Sequence, residues 1–81
     1  MKIKILYFAM AKELRGASSE VLQVPDNAKS DSILELLLHA HPKLKDIAPT
    51  LRLAVNEEFI EAPKTLQEND VFAIIPPVTG G

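Results

Sequence analysis

Residues 71–81 read VFAIIPPVTGG, and this stretch decides the fold. VFAII at 71–75 has the β-branched and aromatic make-up of a strand. Pro76-Pro77 stops it, because neither proline can donate a hydrogen bond to a sheet ladder. Only Val78-Thr79-Gly80-Gly81 follows. The prolines restrict the segment before the glycines. The two glycines have no side chain and accept main-chain angles other residues resist. The pattern predicts a stiff base with a thin, flexible tip. Six residues from Pro76 onward reach roughly 20 Å when extended, enough to enter another protein's pocket. A narrow slot that excludes a Cβ still admits this tip, so another enzyme can reach the carboxylate of Gly81. A frayed end carries the same two glycines, and they do not by themselves separate the two readings.

Working back from the tail, residues 52–55 (RLAV) read as a strand, 56–58 as a turn and 59–61 as a short return strand. Leu66 reads as a buried anchor before a turn at 68–70. At the other end, residues 2–9 (KIKILYFA) alternate Ile3, Ile5 and Tyr7 with Lys2, Lys4, Leu6 and Phe8. The second face becomes apolar along the strand, as a central strand contacted on both faces requires. Residues 10–15 read as a short helix closed by Gly16. Residues 20–24 (EVLQV) form a strand ended by Pro25.

A main helix starts near 30–32. Ser32 with Glu35 fits a capping box, and Ser30 or Asp31 offers a cap one turn earlier. Ile33, Leu37 and Ala40 make its apolar stripe, widened by Leu34 and Leu38. Pro42 marks its end, and residues 43–51 are a connection of unassigned shape. Strand, strand, helix, strand, short strand, strand in so short a chain predicts an α+β fold: a mixed sheet curved around one main helix. The first and last strands lie parallel at its centre. That arrangement is a β-grasp. We read 1–75 as the domain and 76–81 as the functional tail.

With 81 residues, the chain supports one modest core. It has no cysteine, which excludes disulfides, thiolate ligands and a cysteine nucleophile, and suits a reducing, cytoplasmic compartment. Nine Lys and Arg, against eleven Asp and Glu, are scattered without a basic run, which argues against nucleic acid. No stretch reads as a signal peptide or membrane span.

Other polar residues read as ordinary surface chemistry. His39 and His41, two apart, do not share a helix face, and suit a helix C-terminus better than a metal site. Glu57, Glu58 and Glu61 surround a turn, where Asn56 suits a left-handed position, as do Asn69-Asp70. Lys12 and Arg15 on the short helix are candidates for salt bridges to an acidic partner. A sheet with one helix leaves its second face open, and apolar residues there make a partner surface. Leu6, Phe8, Leu53, Val55, Phe72 and Ile74 are the candidates. Alternation groups Phe72 with Ile74 and Leu53 with Val55, but leaves open which group faces the helix. From these we name Phe8, Phe72 and Ile74, with Pro76, Pro77, Val78 and Thr79, as partner-binding residues.

A carboxylate is a poor acyl donor until activated. Attack on ATP gives an acyl-adenylate, and a sulfur nucleophile then displaces AMP to leave a thiocarboxylate. The chain has no phosphate-binding Gly-rich loop, so the ATP chemistry belongs to a partner.

At ILYFA (5–9), KELRG (12–16), LAVNEEF (53–59) and above all AIIPPVTGG (73–81), the chain resembles the small subunit of molybdopterin synthase, a family of ubiquitin-like sulfur carriers. One departure is Glu68-Asn69-Asp70, where many relatives have a Gly-Asp turn. The resemblance implies a β-grasp fold and a non-catalytic sulfur-donor subunit of a sulfurtransferase complex. It implies that Gly81 is modified, as a glycyl adenylate and then a 1-thioglycine, with Gly80 providing passage. The implied partners are an adenylyltransferase resembling ubiquitin-activating enzymes, a sulfur-transfer protein, and the large synthase subunit in a heterotetramer. ATP is used by the activating partner, and no intrinsic cofactor or metal is implied. The sulfur acceptor is cyclic pyranopterin monophosphate, on which the molybdopterin dithiolene is built. The sulfur carrier of thiazole synthesis, a ubiquitin-like protein modifier, and a plain interaction domain are the alternatives.

Overall fold

The computed structural model describes residues 1–77. Its elements run β1 (Lys2–Tyr7), α1 (Ala9–Arg15), β2 (Ser19–Gln23), α2 (Ser30–Ala40), β3 (Arg52–Val55), β4 (Glu58–Ile60) and β5 (Val71–Ile75). The sheet order is β2-β1-β5-β3-β4. β1 and β5 are parallel neighbours; the other pairs are antiparallel. β5 is the middle strand, so the chain leaves the sheet from its centre. This is the β-grasp expected from the element order.

One face of the sheet is the core. Ile5 pairs with Phe72 and Tyr7 with Ile74 across β1–β5, while Val55 pairs with Phe72 and Leu53 with Ile74 across β3–β5. Directly paired residues point to the same side, so these form one apolar layer. Ile33 and Leu37 of α2 close it, with Leu44 and Leu66 sealing the ends. The apolar stripe of α2 is narrower than the sequence suggested: Ala40 lies exposed. The unassigned connection folds as two 3-10 turns, Pro42–Asp46 and Ala48–Thr50, with Leu44 as its buried anchor.

The capping box at Ser32 does not form. The N-cap is Lys29, with no side-chain cap hydrogen bond. Ser30 serves another purpose: its Oγ accepts the Lys64 N–H at 2.9 Å, and its own N–H donates to the Lys64 carbonyl at 2.8 Å. Ser30 is 1% exposed. The long-range tie wins because it satisfies two backbone groups of the 61–70 connection, which a local cap would leave unpaired.

Turn chemistry follows the sequence more closely. Gly16 closes α1 with φ 84°, its N–H donating to the Lys12 carbonyl. Asn56 and Glu57 both have positive φ, 51° and 71°, as a two-residue hairpin turn of primed type requires. Asn56 also ties this turn to β5. Its Oδ1 accepts the Val71 N–H, and its Nδ2 donates to Asp70 Oδ1, both at 2.9 Å. Asn69 adopts φ 68° and donates its N–H to the Lys2 carbonyl.

Candidate functional site

β5 carries the chain to the site. Its last residues are held on both sides: Ile74 accepts the Phe8 N–H at 3.2 Å, and Ile75 pairs with Arg52 of β3. Pro76 is buried and Pro77 is exposed. Val78, Thr79, Gly80 and Gly81, the heart of the expected site, lie outside the described residues.

The register also defines the sheet's second face. Its central row runs Ser19, Leu6, Ala73, Ala54, Phe59 across all five strands. Phe8 is extended and 46% exposed, and by alternation it continues this face past Leu6. Phe59 is 51% exposed. The two alanines form a shallow floor between the larger side chains of Leu6 and Phe59. Among the described residues no helix covers this face, so its central row is an apolar surface beside the strand that leads to the tail.

Two proposed contact residues do not lie on it. Phe72 and Ile74 are 0% exposed and face α2. As direct partner contacts they are corrected: their register with Ile5 and Tyr7 puts them in the core. Leu53 and Val55 share that side. The companions of β5 that do face outward are Val71, Ala73 and Ile75. Phe59, 51% exposed, lies outside the core. Arg52 also belongs to the open face. Its guanidinium carbon lies 3.9 Å from the Phe59 ring centroid, and Nη2 is 3.8 Å from Glu61 Oε1. The lone arginine beginning an otherwise apolar strand was the available sequence signal, but its neighbour Phe59 is visible only through the hairpin register.

A second polar feature was not legible in the sequence. Glu20 Oε2 accepts the Tyr7 hydroxyl at 2.5 Å and Arg15 Nε at 3.2 Å, and lies 3.6 Å from His41 Nε2. Arg15 also lies over the Tyr7 ring, and His41 meets that ring edge-on. Burial and the adjacent Glu20 carboxylate raise the Tyr7 hydroxyl well above its ordinary pKa. Burial alone would raise the Glu20 carboxyl, but the Tyr7 hydroxyl, Arg15 and His41 outweigh it and hold the carboxyl below its usual value. Arg15 is thus spent within the chain rather than offered to a partner. The cluster ties α1, β1, β2 and the turn after α2 together on the side away from the open face. Among the described residues, no group of three His, Cys, Asp or Glu is placed to hold a metal, and no helix is long and apolar enough to cross a membrane.

A small β-grasp domain with β5 at the centre of a mixed sheet defines the class of ubiquitin-like folds. The comparisons agree. The chain matches the ThiS family over residues 5–81. It is 35% identical to the molybdopterin synthase sulfur carrier subunit of Chlamydomonas reinhardtii, with all of both chains covered. It is 36% identical to that of Arabidopsis thaliana, covering 100% of this chain and 84% of the relative. The crystal structure of SAMP1 from Haloferax volcanii superposes with a TM-score of 0.88 over the full length of both chains, and at 24% identity it shows the shared fold. The chain belongs to the ThiS family of ubiquitin-like sulfur carriers and is a homologue of the molybdopterin synthase small subunit.

Proposed function

We propose that this chain is the sulfur carrier subunit of a molybdopterin synthase. The observation that carries the reading is the full-length match to proteins of that name, together with a family match that runs through Gly81. The chain is the donor, and the catalytic residues belong to its partners. A ubiquitin-activating-enzyme-like adenylyltransferase binds ATP. The Gly81 carboxylate attacks the α-phosphorus, pyrophosphate leaves, and a glycyl adenylate remains. A sulfur-transfer protein supplies sulfur that displaces AMP, giving 1-thioglycine at residue 81. The large synthase subunit then receives residues 77–81, and the thiocarboxylate sulfur passes to cyclic pyranopterin monophosphate. Gly80 has no Cβ to obstruct either pocket, and Pro77, Val78 and Thr79 guide the approach. The reading places these steps in the cytoplasm.

The open face is the docking surface for the large subunit. Three things support this: it is apolar, it carries Leu6, Phe8 and Phe59, and β5 crosses it on its way to the tail. Docking there brings the tail to the partner without bending the chain back across the domain.

Intact mass of the protein purified from its own cells, with fragmentation of the C-terminal peptide, tests the chemistry. A gain matching oxygen-to-sulfur exchange at Gly81 is the expected result. An unmodified Gly81 in the presence of active partner, ATP and sulfur donor refutes it. A ladder of lysine conjugates would indicate a protein modifier instead. Deleting Gly81 abolishes sulfur transfer while binding to the large subunit persists.

A further inference from the structure

The open face is electrostatically one-sided. Among its paired strand positions, the charged side chains are Lys2, Lys4 and Arg52, all cations. Yet acids outnumber bases, eleven to nine, over the whole chain. Glu61, against Arg52, is the acid placed beside these positions, so the strand positions of this face carry a net positive charge and favour a surface bearing carboxylates.

Arg52 differs from the two lysines in where it sits and how it is held. It pairs with Ile75, the last residue of β5 before Pro76, so it flanks the base of the tail. Its guanidinium is laid over Phe59 rather than extended into solvent. A stacked guanidinium keeps its N–H edge free for a bidentate carboxylate, and part of its side-chain freedom is already surrendered. Its present acidic neighbour is a weak competitor. Glu61 is 3.8 Å away and its side chain is 90% exposed, so the pair is loose, hydrated and easily exchanged.

We infer that Arg52, stacked on Phe59, is the specificity-determining contact of the open face, and that it receives a carboxylate of the large synthase subunit beside the entrance that takes the tail. This rests on the reading of the open face as the docking surface. The apolar row supplies contact area but little orientation, since any flat apolar surface can cover it. A charge-paired arginine at the tail's base fixes which way round the partner sits, and penalises partners that place a cation or a bare apolar patch there.

Titration calorimetry of the full-length chain against the purified large subunit from the same organism, at low and moderate salt, tests this. Arg52→Ala weakens binding about tenfold and Arg52→Glu more, and Arg52→Lys recovers only part of the loss. The salt dependence of binding flattens in Arg52→Ala, a change that mere loss of packing does not produce. Urea midpoints of the Arg52 variants stay near wild type, which separates docking from folding. Leu6→Asp serves as the reference variant for the face. If Leu6→Asp abolishes binding while Arg52→Ala and Arg52→Glu bind as wild type, the inference about Arg52 is overturned and the docking face stands. If Leu6→Asp also binds as wild type, the face itself is misassigned and both readings fail.

Discussion

Replacing Phe72 and Phe59 in turn by alanine asks which face of the sheet carries the stability of the domain. Phe72 is 0% exposed and lies between Ile5 and Val55 in register. Truncating a fully buried phenylalanine leaves a cavity and costs about 4 kcal/mol. A domain of this length has roughly 4 to 12 kcal/mol of total stability, so Phe72→Ala removes a third or more of it. Phe59 is 51% exposed. Its truncation forfeits about half of a phenylalanine's transfer energy and an exposed cation–π contact, together about 2 kcal/mol. The chain has no tryptophan, so far-ultraviolet circular dichroism is the suitable probe of urea unfolding. With a urea slope of about 1 kcal/mol per molar, the midpoint falls by about 4 M for Phe72→Ala and about 2 M for Phe59→Ala. At the lower end of that stability range the first variant is unfolded or nearly so in buffer alone. Neither substitution changes charge. Equal midpoints for the two variants would refute the assignment of Phe72 to the core and of Phe59 to the open face.

The Tyr7–Glu20 bond is tested by a double-mutant cycle. Glu20→Ala leaves a buried tyrosine hydroxyl and Arg15 without their partner and costs about 2 kcal/mol near neutral pH. Much of that loss is absent when Tyr7 is already phenylalanine. Because the folded Glu20 carboxyl is held below its ordinary value of 4.5, its contribution is complete above that value. It is lost as pH falls through the lower folded value, so wild type and Glu20→Ala converge in acid. The raised Tyr7 hydroxyl acts in the opposite range: its contribution is complete below its ordinary value of 10.0 and declines as pH rises through the higher folded value. Ser30→Ala costs about 1 kcal/mol by removing the buried hydroxyl that accepts the part-buried Lys64 N–H. Ser32→Ala changes urea stability little, since Ser32 is exposed and no capping box forms. The reverse order would restore the local cap.

Much of the molecule follows from local rules that a sequence carries openly. Gly16 ends α1 because the left-handed conformation there is costly for other residues, and Asn56 and Asn69 take positive φ for the same reason. β3 and β5 occupy the predicted residues, 52–55 and 71–75, since each is an apolar run bounded by turn residues. The proposed reacting group, the Gly81 carboxylate, was named from the Pro-Pro-Val-Thr-Gly-Gly end alone, because that chemistry would belong to the main chain and needs no tertiary partner.

What depends on contacts between distant residues was hidden. Ser30 looked like a helix cap, but Lys64, thirty-four positions away, claimed its hydroxyl. Glu20, Arg15, Tyr7 and His41 are spread over four elements, and no spacing rule connects them. Alternation made Phe72 and Ile74 companions, but the period of two is identical on both faces of a sheet. Only the pairing of β5 with β1 and β3, and the placement of α2 against Ile5 and Tyr7, broke that symmetry. It buried Phe72 and Ile74 and left Leu6, Phe8, Phe59 and Arg52 facing outward.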